Sequence, residues 1–200
     1  MFDVVEARRR GFQLEELGQF AAAVIVLEAV VQQVNDHALT WLILSDAYKA
    51  IGRFSRCRAA LEQALVHGTG KKNWAIYFRF ASLSEEEGRF QEAEQWYSRA
   101  DGLEVCEVRS SVAVLRASNL MRLEQFIESE GLLRSAIGSG VKLANPDEIY
   151  HALGVALLRQ ERYAEARECL ELAPTLVERS ELTRSALLSI EGVEEAHLSI

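Results

Sequence analysis

Chain breakers and cross-linkers are scarce in this sequence. Two prolines and 12 glycines in 200 residues leave little punctuation, which disfavours a turn-rich all-β fold and favours helices. The three cysteines, Cys57, Cys106 and Cys169, are odd in number and widely spaced, with no C-x-x-C pair. That pattern argues against a disulfide framework and suits reduced thiols, so a cytoplasmic location is expected. His37, His67, His151 and His197 never fall at the i, i+3 or i+4 spacing that puts two metal ligands on one helix face, and no metal site is expected. No apolar run approaches the roughly 18 residues of a membrane span. The longest covers residues 20–27. Residues 1–10 are charged and lead into no apolar core with a small-residue cleavage site, so no secretory signal is expected. Positive charge is also in deficit. Lys and Arg number 22 against 30 Asp and Glu, a net charge of −8, which makes the chain a poor general binder of nucleic acid or anionic membrane.

Catalytic constellations are missing as well. Gly68-Thr69-Gly70-Lys71-Lys72 lacks the spacing and the preceding strand of a phosphate-binding loop, and reads as a connector. Gly138-Ser139-Gly140 is likewise a linker rather than a nucleophile elbow. Glu85-Glu86-Glu87 are sequence neighbours that point in different directions on a helix, so they form a solvated face rather than a catalytic pair. Arg8-Arg9-Arg10 is a short basic triplet in an acidic chain, also read as solvated. The cysteines serve best as small packing residues. No enzyme activity and no cofactor are expected.

What the sequence does have is a repeat. A phrase of small or acidic residue, any residue, aromatic, and a small residue three further on begins at Gly18, Gly52, Gly88, Glu124 and Glu161, after steps of 34, 36, 36 and 37 residues. Its aromatics are Phe20, Phe54, Phe90, Phe126 and Tyr163; its small residues are Ala23, Cys57, Ala93, Ser129 and Ala166. Downstream come Leu27 and Val30, Leu61 and Ala64, Tyr97 and Ala100, Leu133 and Ala136, Leu170 and Ala173. These spacings put apolar residues along one face of two successive helices joined by a tight turn. Gly18, Gly52 and Gly88 sit where the first helix must stop, a place that favours a left-handed residue. The small residues mark close helix crossings, and the aromatics fill the wedge between paired helices. First helices are expected near 4–17, 38–51, 73–87, 107–122 and 146–160, and second helices near 20–34, 54–67, 90–101, 126–138 and 162–172. Asn145-Pro146-Asp147-Glu148 reads as a helix start, with an Asn cap and proline at the first helical position. Glu92, beside Ala93, is expected to face solvent at little energetic consequence.

The second unit, Trp41-x-x-Leu44-Ser45-x-x-Tyr48 followed by Gly52-Arg53-Phe54 and Cys57, resembles the tetratricopeptide repeat pattern W-x-x-L-G-x-x-Y…G-x-F/Y-x-x-A. Ser45 replaces its glycine and Cys57 its alanine. The fifth unit has Tyr150-x-x-Leu153-Gly154-x-x-Leu157. Ala7 stands at the family's tryptophan position, Arg10 and Arg116 at a usual leucine, and Pro174 comes a few residues early. The resemblance implies an all-α fold, an α-solenoid of antiparallel helix pairs forming a right-handed superhelix. The expected organisation is one domain over 1–200, with repeats at about 4–37, 38–73, 74–109, 110–146 and 147–174. A stack of hairpins exposes its last apolar face, so a capping helix is expected at about 175–190, with Leu187 among its apolar residues.

The resemblance also implies a concave groove lined by the first helices. The groove positions of the family fall on Arg8 and Phe12; on Leu42, Asp46 and Lys49; on Phe78, Ser82 and Glu85; on Val114, Ser118 and Met121; and on His151, Val155 and Leu158. Arg122 and Arg159 follow closely on Met121 and Leu158 and would fix the direction of a bound segment. Phe12, Leu42, Phe78, Val114 and Val155 give the groove an apolar stripe, which suits either superhelix packing or a hydrophobic or amphipathic ligand segment. The family's Lys/Asn clamp for chain-end carboxylates is absent, since Arg8, Phe12 and Ile43 stand where it would need its ligands. The leading expectation is a non-catalytic, cytoplasmic protein–protein interaction adaptor that holds a peptide or helical segment of another protein. The alternatives are a secretion-type chaperone for an exported protein and a self-assembling structural module, which would make a homo-oligomer.

Overall fold

The computed structural model describes residues 3–35, 37–68, 70–101, 109–139, 146–173 and 187–188. The Asn145 cap, Cys106, Pro174 and all of the expected capping helix except Leu187 and Leu188 lie outside them. Among the described residues there are ten α-helices and no strand. They are α1 Val4–Glu16, α2 Phe20–Gln33, α3 Ala38–Ala50, α4 Phe54–His67, α5 Trp74–Glu86, α6 Phe90–Asp101, α7 Arg109–Arg122, α8 Phe126–Gly138, α9 Pro146–Leu158 and α10 Tyr163–Glu171. Every second helix begins on the aromatic residue of the repeated phrase. The one departure is the connector after α4, where Gly70–Asn73 winds into a short 3-10 turn rather than an irregular loop.

The chain divides into two compact units, Met1–Glu104 and Val105–Ile200. Within the first, α1 packs on α2, α3 on α4 and α5 on α6, with further contacts of α2 on α3, α4 on α5 and α1 on α3. Within the second, α7 packs on α8 and α9 on α10, joined by α8 on α9 and α7 on α9.

One local device closes every hairpin. The amide of Gly18 donates to the Glu15 carbonyl and that of Gln19 to the Leu14 carbonyl, at 2.9 and 2.8 Å. The same pair of bonds recurs at Gly52 and Arg53, Gly88 and Arg89, Glu124 and Gln125, and Glu161 and Arg162. This two-bond closure needs a left-handed residue just past the helix, and φ is 71°, 71° and 72° at the three glycines. It satisfies helix-terminal carbonyls and turns the chain sharply enough for an antiparallel partner. α1 gains a separate cap at its other end, where the Asp3 carboxylate accepts the Val5 and Glu6 amides at 2.9 and 3.1 Å.

Small residues set the crossing distance. Ala23, Cys57, Ala93, Ser129 and Ala166 on the second helices are all buried. A matching row on the first helices, Gly11, Ser45, Ala81, Ala117 and Gly154, is buried too. A Cβ on Gly11 would meet Leu27 at 2.4 Å, and one on Gly154 would meet Leu170 at 2.7 Å. Ser129 satisfies its buried hydroxyl across the crossing, donating to the Ala117 carbonyl at 3.1 Å. Each unit then has its own core. In the first, Leu27, Leu44, Leu61, Ile76 and Leu83 are essentially inaccessible; in the second, Leu133, Ile149, Leu153, Leu157 and Leu170 are. Leu187 packs against this second core.

The second helices are also tied by charge, and here one expectation needs correction. Glu92 is not a free solvent-facing residue. Its carboxylate takes Arg58 of α4 at 2.8 Å, Arg89 at 3.1 Å and the Trp96 indole N–H at 3.3 Å. Burial alone would raise its pKa, but these donors outweigh it and hold it below the usual carboxylate range. A repeat brings residues about 34 apart to matching places on adjacent second helices, so Arg58 reaches Glu92. In the second unit Arg134 of α8 reaches Glu165 of α10 at 3.0 Å, and Glu130 takes Arg134, Arg162 and Gln160 at 2.7, 2.6 and 3.0 Å.

Candidate functional site

The expected groove positions converge separately in each unit. In the first, Asp46 and Lys49 from α3 meet Phe78, Arg79 and Ser82 from α5 around a cavity of about 250 Å³, with Ser45 and Cys57 at its floor. A neighbouring cavity of about 390 Å³ shares Asp46 and Lys49 and adds Glu15, Phe20, Ala50, Phe54 and Glu86. Arg8 and Phe12 line a third hollow on α1 with Val5, Arg9, Gln13 and Glu16. In the second unit, Val114, Ser118 and Met121 from α7 face His151 and Val155 from α9 around a cavity of about 280 Å³ that Glu148 and Ala152 complete. Leu42 joins none of these cavities. It is 8% exposed and belongs to the first core, because its turn of α3 is covered by neighbouring core side chains. Arg122 and Arg159 are exposed and stand outside the four cavities.

Electrostatics organise the first unit's face. Arg79 donates through Nε to both Asp46 oxygens at 2.8 and 2.9 Å, and through Nη2 to Oδ2 at 2.8 Å. This fork of charge-assisted bonds ties α5 to α3. Lys49 donates to Ser82 at 2.6 Å and lies 3.6 Å from Glu86. Phe78 sits edge-on to buried Tyr97, ring centres 6.0 Å apart, and the Tyr97 hydroxyl donates to Glu85 at 2.8 Å. Glu15 is the odd member. Burial and the nearby Asp46 carboxylate raise its pKa, with Arg79 opposing. At Arg8, the buried Nε has no hydrogen-bond partner among the described residues. Sequence reading missed Arg79 and Glu15. The signal available was a pair of opposite charges 33 residues apart on successive first helices, which the repeat brings face to face.

The second unit's face has another character. Val114, Met121, Ala152 and Val155 supply apolar walls, and Ser118 turns its hydroxyl back to the Val114 carbonyl at 3.0 Å. Burial lowers the pKa of His151, favouring the uncharged imidazole. Cys57 is 2% exposed and burial pushes its thiol up to about 11, so it packs rather than reacts. Among the described residues no group of His, Cys, Asp and Glu is placed to hold a metal, and no helix is long and apolar enough to cross a membrane.

Antiparallel helix pairs in 34- to 37-residue register, each closed by one left-handed residue and packed through one small-residue crossing, define a helical-repeat protein. The chain belongs to the tetratricopeptide repeat family, whose sequence model matches residues 42–103 and 114–180. Proteins of this family are in general non-catalytic scaffolds for protein–protein interaction. Solved structures of the same fold include YrrB, described as a TPR protein with an unusual peptide-binding site. It is 13% identical with a TM-score of 0.71, covering 94% of this chain and 92% of its own. MamA is 16% identical with a TM-score of 0.72, covering 88% and 92%. PilF of Pseudomonas aeruginosa is 15% identical with a TM-score of 0.72, covering 98% and 93%. No curated protein matches the sequence.

Proposed function

We propose that this chain is a non-catalytic adaptor that holds a peptide or helical segment of another protein against the open faces of its first helices. The observation that carries this reading is the convergence of the groove positions. Asp46, Lys49, Phe78 and Ser82 line one cavity of the first unit, and Val114, Ser118, Met121, His151 and Val155 line one of the second. Hollows that pair an apolar wall with a few oriented polar groups suit side chains of a protein segment: burial supplies affinity and the polar groups fix register.

Copurification from the native host supplies the partner, and titration of that partner against Phe78→Ala tests the site. Phe78 is half-buried and lines the cavity, so its truncation should weaken binding by roughly 1–3 kcal/mol, a typical loss for an aromatic anchor. Helicity should persist, because Phe78 is outside the buried core. Full affinity with intact helicity would move the binding surface to the second helices or the loops.

A further inference from the structure

We propose that the first unit's cavity between Glu15 and Glu86 takes the side chain of a Lys or Arg from the bound segment, its alkyl stem against Phe20 and Phe54 and its charged head on Glu15. This inference rests on the adaptor reading above and names the chemistry of one residue in the ligand.

The cavity, about 390 Å³, has three carboxylates and one ammonium on its lining. Asp46 is committed to Arg79 by three short bonds. Glu86 has Lys49, which also donates to Ser82. Glu15 has no hydrogen bond or ion pair from any side chain among the described residues; its neighbours Asp46 and Glu16 repel it, and only Arg79, already held by Asp46, offsets them. The cavity is thus walled by Phe20, Ala50 and Phe54 and left with one carboxylate that no side chain among the described residues hydrogen-bonds.

Three kinds of occupant can be compared. An acidic side chain would meet three carboxylates. A purely apolar one would desolvate Glu15 further without compensation. A Lys or Arg buries its methylenes on the aromatic rings and brings a cation to Glu15, replacing repulsion with a charge-assisted bond.

The test is selection from a random short-peptide library on the full chain, carried out in parallel with Glu15→Gln and Glu62→Gln. Glu62 is exposed on α4 outside the cavities, so both variants lose the same net charge and general attraction of basic peptides to an acidic protein changes equally. The wild type and Glu62→Gln should select peptides with Lys or Arg at one fixed register position, and Glu15→Gln should lose that preference. A selected peptide resynthesised for titration should bind Glu15→Gln about tenfold more weakly, the size of one lost charged hydrogen bond. Glu15→Gln should melt at or above the wild-type temperature, which separates a ligand-binding role from a structural one. Peptides without a basic preference, or a preference that survives Glu15→Gln, would overturn this inference and leave the adaptor reading standing. Selection of no peptide by any of the three proteins would overturn both.

Discussion

Gly18, Gly52 and Gly88 close the first helices of one unit at φ near 71°, whereas Glu124 and Glu161 close those of the other at 60° and 61°. The backbone hydrogen bonds are the same in all five turns. A left-handed residue with a Cβ is disfavoured by roughly 1–2 kcal/mol, so the second unit carries strain the first avoids. The open faces diverge in parallel. The first unit's is charged, with an Asp46–Arg79 fork and Lys49 between Ser82 and Glu86. The second unit's cavity is mainly aliphatic around a neutral-favoured His151. Hairpin packing is common to both units, while turn residues and face chemistry vary, so the fold dictates the crossing rows and leaves the faces free to differ.

The largest expected effect tests what the units share. Ala93→Trp and Ala166→Trp each force an indole into a fully buried helix crossing, and each should destabilise by about 3 kcal/mol, the upper range of overpacking. Gln95→Ala, exposed on the same helix as Ala93, should stay within about 0.5 kcal/mol. Thermal melts of the three variants check this. A variant at Ala166 that melts like wild type would mean that the second unit does not use the crossing as the first does.

The shared part is also what the sequence made legible. Helix starts at Phe20, Phe54, Phe90, Phe126 and Tyr163 follow from a code in which each position has one steric demand. Left-handed turns at Glu124 and Glu161 were marked only by their place in the repeat, since glutamate has no intrinsic preference for them. The face was legible as positions and not as chemistry. Periodicity puts Phe78 and Ser82 on one side of α5, but whether Leu42 is swallowed by the core depends on what packs over it. Glu92 shows the same limit, because its partner Arg58 lies one repeat away and no local pattern announces the pair.

A middle-sized effect separates the carboxylates by sign. Burial alone would raise the pKa of Glu130, but bonds from Arg134, Gln160 and Arg162 lower it below the unfolded value. Its contribution is therefore full above the ordinary carboxylate range and lost as pH falls through the depressed folded pKa. Glu130→Gln should cost about 1–2 kcal/mol at neutral pH, discounted for the exposure of both arginines, and the gap to wild type should close in acid. Glu15 has a raised pKa, so its ionisation opposes folding as pH rises through that value. Glu15→Gln should leave neutral-pH stability equal or higher. Denaturant melts across pH read both, and a neutral-pH loss in Glu15→Gln like that of Glu130→Gln would mean that Glu15 is held by the fold after all.

The smallest effects exchange the turn residues. Gly52→Glu places a Cβ in the left-handed region with no atom within 4 Å to strain against, so the backbone penalty of about 1–2 kcal/mol is offset only by what a glutamate gains over glycine in the unfolded chain and at the helix end. The reverse change, Glu161→Gly, should recover less. Glycine relieves the turn, but it also widens the unfolded ensemble by about 0.4–1 kcal/mol. In addition, Glu161 lies two residues before Tyr163, where a carboxylate favours the positive end of α10 by about 0.3–1 kcal/mol. These terms nearly cancel, so Glu161→Gly should melt within about 0.5 kcal/mol of wild type in dilute buffer. The helix-end attraction is the one salt-sensitive part, screened beyond about 3 Å at 1 M ionic strength. Glu161→Gly should therefore gain on wild type as salt rises, while Gly52→Glu, placed the same way before Phe54, should fall further behind. Salt-independent melting differences for both variants would leave strain as the whole distinction between the two sets of turns and remove the helix-end explanation for glutamate in the second.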